Sequence, residues 1–145
     1  MERRGLEFSH ILVDTAPVIA LLRGDRPVKA ALISRSLTIY YTRTTRKELF
    51  ARTSAGQMRR EKRAISDLLR LWRLINPDIQ VLDLYDQLLN EYRQLENHLP
   101  DAMIAATALA KRLPLFTFNH RHFNFISELR VLTLDEVLQL TGVEV

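Results

Sequence analysis

The chain has 145 residues, 47% of them hydrophobic and 26% charged, with a formal net charge of +4. The length fits a single domain spanning 1–145 with a real core, and the composition is that of an ordinary globule, not a fibrous or disordered chain. It has no cysteine, which excludes disulfides, thiolate metal sites and cysteine nucleophiles, and no apolar run approaches the ~20 residues that a bilayer span needs.

The amino-terminal stretch MERRGLEFSHILVD carries two arginines, but its apolar run stops at Asp14. It has no signal-peptide core, so a cytoplasmic protein with no membrane association is expected. HILVD (10–14) reads as the first strand. A short helix is expected from about Ala16, then a turn at RGDRP (23–27) and a second short helix. LTIYYT (37–42) reads as the second strand, with Tyr40 and Tyr41 on opposite faces, so that one is buried. A helix is expected from near Thr45. Ile65, Leu68, Leu69, Trp72 and Ile75 then form an apolar stripe at helical spacing, with Trp72 as a core residue. Asn76-Pro77-Asp78 ends that helix. IQVLDL (79–84) reads as the third strand, followed by a second stripe of Tyr85, Leu88, Leu89, Tyr92 and Leu95. PDAMIAATALA (100–110) opens a helix whose alanines permit close packing. LFTF (115–118) and RVLTL (130–134) complete the strands. This alternation predicts an α/β/α sandwich around a mainly parallel sheet of about five strands.

The charge is uneven. Residues 43–73 hold ten basic side chains and three acidic ones. A localised basic surface suits a polyanion such as nucleic acid, although a solvated helix face is the plainer reading of charge alone.

In doubly wound sheets, ligands sit beyond the carboxyl ends of the strands. Asp14 closes the first strand, and Glu48 follows the second by six residues. Asp101 opens the helix that leads into the fourth strand, and Asn119 closes that strand. Each has a structural explanation. Asp14 suits a helix cap, Thr45-x-x-Glu48 fits a capping box, Asp101 complements a helix dipole, and Asn119 suits a cap. As a set they suggest more. Carboxylates drawn together repel and raise one another's pKa, so a protein that converges three of them commonly supplies a cation. An all-oxygen donor set favours magnesium or manganese. Such a metal beside a basic surface suits phosphodiester hydrolysis. His98, His120 and His122 lie near these acids and suit ligands or proton donors, with packing or hydrogen bonding the better reading of His122. Arg43, Arg46 and Lys47 flank Glu48 as candidate phosphate contacts. Arg59, Arg60, Lys62 and Arg63 lead a helix suited to RNA or to an acidic peptide segment.

Four segments resemble, in order, the motifs of the PIN domain family, and most closely its VapC-type toxins. These are ILVDTAPVIALL, TRTTRKEL, PDAMIAATALA and FTFNHRHF. The resemblance implies a magnesium- or manganese-dependent ribonuclease. By motif position Asp14, Glu48 and Asp101 are its metal ligands, Asn119 occupies the fourth, often acidic, position, and Thr15 and Thr117 line the site. It also implies an RNA substrate, a homodimer and a cognate antitoxin protein. The chain departs from the pattern at Ala16-Pro17 after Asp-Thr, at Asn119, and in the short glycine-free approach QLENHLP to Asp101. Within the family, an RNA-processing nuclease outside any toxin–antitoxin pair is the alternative. A non-catalytic binding module, with the acids as caps only, is another. A receiver-like domain fits poorly, because the first strand offers one acid and the fifth ends without lysine.

Overall fold

The computed structural model describes residues 9–53 and 55–142; the amino-terminal residues 1–8, with the two arginines noted above, lie outside the described residues. Five strands form one sheet: His10–Val13 (β1), Thr38–Thr42 (β2), Arg73–Ile75 (β3), Leu115–Phe116 (β4) and Val131–Leu132 (β5). Every pairing is parallel, and the order is β3-β2-β1-β4-β5. The helices are Thr15–Leu22 (α1), Arg26–Leu32 (α2), Arg43–Ala51 (α3), Met58–Leu69 (α4), Ile79–Glu91 (α5), Leu99–Lys111 (α6) and Leu134–Thr141 (α7).

Alternation along the central strand sorts the core into two layers. Ile11 and Val13 join one cluster with side chains of α1, α2, α3, α4 and α7, while Leu12 joins a second with α5 and α6. All three are fully buried, as expected for a parallel strand covered on both faces. Tyr41 is buried on the first side, whereas Tyr40 is half-buried on the second and its hydroxyl meets His10 Nδ1 at 3.1 Å. The expected α/β/α sandwich is therefore present.

The third strand is not where the sequence pattern put it. IQVLDL (79–84) is the start of α5, and the strand is the preceding Arg73-Leu74-Ile75, paired with Tyr40, Tyr41 and Thr42. Asp78 decides the matter locally: its Oδ1 accepts from the Val81 N–H at 2.9 Å and caps the helix. Val81, Leu84, Tyr85 and Leu88 then follow the helical period inward. The stripe ending at Ile75 is helical only as far as Leu69, and Trp72 is half-buried against the first cluster in the turn that follows. Asn76-Pro77 thus ends a strand, not a helix. Strand β4 also stops at Phe116, short of the expected 118.

Helix α6 packs on alanine in the second core cluster, where α5 is its closest neighbour. Ala102, Ala105, Ala106 and Ala108 are all buried, and small side chains let the backbone approach closely. Pro100 sits in the first turn, where its missing N–H is harmless. Close packing thus fixes the turn that presents Asp101. Replacing Ala105 with Leu should overpack this contact and destabilise the protein by about 1–3 kcal/mol in urea denaturation.

Candidate metal centre

The strand order reverses between β1 and β4, which are direct neighbours. At this switch point the chain leaves two adjacent strand ends open, and the candidate residues collect there. Asp14 follows β1 directly and donates its N–H to the Phe116 carbonyl at 2.9 Å. Its side chain caps α1, with Oδ1 accepting from the Thr15 N–H at 2.8 Å. Oδ2 accepts from the Thr117 hydroxyl at 2.7 Å. The same Thr117 oxygen accepts from the Asn119 N–H at 3.0 Å. One buried hydroxyl therefore ties the end of β4 to Asp14.

A second hydroxyl does the same for Glu48. Thr15 donates to Glu48 Oε1 at 2.7 Å and lies 2.9 Å from the Thr45 hydroxyl. A hydroxyl has one proton to give, so Thr45 is the donor to Thr15. Thr45 is fully buried and was read from sequence as a helix cap. The cap of α3 is instead Thr42, whose hydroxyl accepts from the Thr45 N–H at 3.2 Å. The helix therefore begins at Arg43, not near Thr45. The capping box suggested by Thr45 and Glu48 is absent, and Glu48 points to Thr15 rather than to its own helix end.

Asp14, Thr15, Glu48, Asp101 and Asn119 line one cavity together with Arg52. Three carboxylates from distant parts of the sequence thus line one cavity, as does the amide, though their oxygens do not all come within 4.8 Å of one another. Asn119 precedes a 3₁₀ turn, His120–His122, but makes no side-chain cap bond there, so its amide is left to the cavity. Arg43, Arg46 and Lys47 are not among the lining residues. They are exposed, and the Arg46 guanidinium sits 4.9 Å over the Phe50 ring. The basic residue that reaches the cavity is Arg52, four residues beyond Glu48 and therefore on the same face of α3. That spacing is readable in the sequence and was passed over in favour of nearer neighbours.

A neighbouring cavity is lined by Ala20, Arg23, Gly24, Asp25 and Phe118, the two sharing Ala16, Ile19 and Arg52. Phe118 is 42% exposed there, its ring set edge-on to buried Phe116 at 5.7 Å.

Burial pushes the Asp14 carboxyl above its ordinary range; the bonds from Thr117 and Thr15 offset part of this, and the charges of Asp101 and Glu48 add to the rise. Among the described residues, no lysine, arginine or histidine forms an ion pair with Asp14 or Glu48. Asp101 differs: its Oδ2 meets His122 Nδ1 at 2.8 Å. Asp14 and Glu48 thus offer oxygen donors without an ion-pair partner among the described residues, and with Asp101 at the same open cavity they fit a divalent cation that keeps part of its water shell.

A family model of the PIN domain matches residues 11–129. The chain belongs to the PIN domain family. Solved structures agree with the fold. This PIN domain is 31% identical to a chain of a toxin–antitoxin complex from Klebsiella pneumoniae, with a TM-score of 0.69, covering 86% of this chain and 97% of that one. It is 27% identical to a chain of FitAcB from Neisseria gonorrhoeae, at a TM-score of 0.69 and with 86% and 97% of the two chains covered. A chain of DNA-bound VapBC from Salmonella typhimurium shares the fold at 19% identity and a TM-score of 0.74, with coverage of 88% and 98%. No curated protein matches this chain. No helix among the described residues is long and apolar enough to cross a membrane.

A raised carboxyl pKa has a definite sign in stability. The folded state binds the Asp14 proton more tightly than the unfolded chain does. Its contribution therefore favours folding below the unfolded value and is lost as pH rises through the raised folded value. In chelator-treated protein, Asp14→Asn should raise the melting temperature at neutral pH. The difference from wild type should close as pH falls toward 4, the region of the ordinary carboxyl value. Differential scanning calorimetry across pH checks this.

Proposed function

We propose that this PIN domain is a metal-dependent endoribonuclease and the toxin of a toxin–antitoxin pair, acting in the cytoplasm. The observation that carries the reading is that Asp14, Glu48 and Asp101 line one cavity, with no ion-pair partner for Asp14 or Glu48 among the described residues. Those three carboxylates would hold magnesium or manganese, with Asn119 beside them. When bound, the metal supplies positive charge to the scissile phosphate and acidifies water.

The remaining work falls to the chain itself. Thr15 and Thr117 each hold one carboxylate oxygen by a 2.7 Å hydrogen bond, on Glu48 and Asp14 respectively, and restrict how those side chains turn toward a cation. Arg52 and Arg23 line the adjoining groove and would take backbone phosphates. The exposed Phe118 ring offers a face for a base. Arg59, Arg60 and Arg63 line a separate cavity and form the centre of the basic surface, suited to RNA or an acidic antitoxin segment. Arg43, Arg46 and Lys47 add positive potential on the exposed side of α3 rather than contacts in the cavity.

The toxin reading is supported by the structural relatives, which are toxin–antitoxin complexes and include one above 30% identity. A cognate antitoxin is therefore the proposed protein partner. A homodimer fits the large apolar side chains of Leu71 and Ile79, which are 74% and 77% exposed beside the sheet edge at β3.

Asp101→Asn should abolish magnesium-dependent cleavage of total RNA while leaving the circular dichroism spectrum unchanged. Full metal-dependent activity in that variant would contradict the assignment. Arg52→Ala should weaken binding of single-stranded RNA by about tenfold and lower the salt slope by about one, as expected for the loss of one phosphate contact.

A further inference from the structure

Asp101 faces two ways. One side belongs to the cavity with Asp14 and Glu48; the other belongs to a pair of histidines. His98 immediately precedes α6 and Asp101 lies three residues later, so the first helical turn brings both to one side. His122 arrives from the end of the 3₁₀ turn after β4. Its Nδ1 is 2.8 Å from Asp101 Oδ2, and its ring lies 4.7 Å from the His98 ring at a 32° tilt. One ligand atom from each of His98, Asp101 and His122 can be chosen so that all three lie within 4.8 Å of one another. No other trio of histidine or acidic side chains among the described residues meets that condition. Ligands of a common ion at bonds of about 2.1 Å sit roughly 3 to 3.5 Å apart, so small rotations bring this trio to coordinating distance.

The donor set differs in kind from the carboxylate cluster. Two imidazoles and one carboxylate suit zinc and its first-row neighbours, whereas magnesium prefers oxygen alone. The group is also open. His98 is exposed, and the side chains of His122 and Asp101 keep 39% and 19% of their accessible surface. An ion can enter and retain water in its remaining positions. The Asp101 oxygen beside His122 is Oδ2, so the second carboxyl oxygen, Oδ1, is not engaged by that contact.

We propose that His98, Asp101 and His122 form a second divalent-cation site for an imidazole-preferring ion such as zinc, sharing Asp101 with the carboxylate cluster. The two sites then interact through one side chain, and occupation of either changes the affinity of the other.

The test needs neither RNA nor cleavage, so it stands apart from the nuclease assignment. The full chain, stripped with chelator, is titrated with zinc chloride by isothermal calorimetry. Wild type and Asp14→Asn should bind zinc with similar affinity. His98→Ala and His122→Ala should each bind it at least about tenfold more weakly. An excess of magnesium should shift the zinc affinity through shared Asp101 without abolishing zinc binding. His98 is exposed, so its variant serves even if replacement of His122 disturbs folding, which circular dichroism reports. Unchanged zinc affinity in His98→Ala, no zinc binding by wild type, or loss of binding in Asp14→Asn alone would each overturn the proposal.

Discussion

Asp14 is a carboxylate held out of water at the end of the central strand, with two more carboxylates nearby and no cationic side chain paired to it among the described residues. Left alone, that arrangement works against folding, since burial and like charge both disfavour the ionised form. It persists because the surrounding structure over-determines it. Asp14 caps α1, anchors to β4 through its backbone, and accepts from the Thr117 hydroxyl. The α/β/α sandwich exists around this point. The strand order reverses at β1 and β4, and the alanine face of α6 brings Asp101 down onto the same edge.

Two threonine hydroxyls connect this edge. Thr117 joins Asp14 to the Asn119 backbone, and Thr15 joins Glu48 to buried Thr45. The hydrogen bonds orient the carboxylates without neutralising them. A salt bridge in their place would stabilise the fold better, but it would also fill the position proposed for a cation. Strain of this kind at a site, compensated elsewhere, is what a protein shows when a local rule is broken for function. The groove leading away carries Arg23, Arg52 and Phe118, so the surroundings grow basic and aromatic as the cavity opens.

Much of this was legible in the sequence, because much of it is local. Asp14, Asp101 and Asn119 sit beside strong strand and helix signals, and the alternation of those signals fixed the layer order. What escaped was set by tertiary contact. Residues 70–72 contain no glycine or proline to end α4, and Trp72 and Ile75 happen to continue its spacing. Only pairing with Tyr40–Thr42 makes Arg73–Ile75 a strand. IQVLDL has enough apolar residues for a strand, yet Asp78 in front of it is a helix cap. Thr45 was given a local role because its partner, Thr15, is thirty residues away. Arg52 reaches the cavity, where Arg43, Arg46 and Lys47 do not, because helical spacing rather than distance along the chain decides which basic residue shares a side with Glu48. His122 was read as a packing or hydrogen-bonding residue, and it does bond, but its partner Asp101 is twenty-one residues away and no local pattern names it.

The account turns on whether one divalent ion is shared by carboxylates that the sequence keeps far apart. Anomalous diffraction from crystals soaked in manganese addresses this directly. A peak bounded by the carboxyl groups of Asp14, Glu48 and Asp101, and absent from Asp14→Asn crystals, is the predicted result. Manganese found elsewhere on the molecule, with that cavity left empty at saturating concentration, would contradict it.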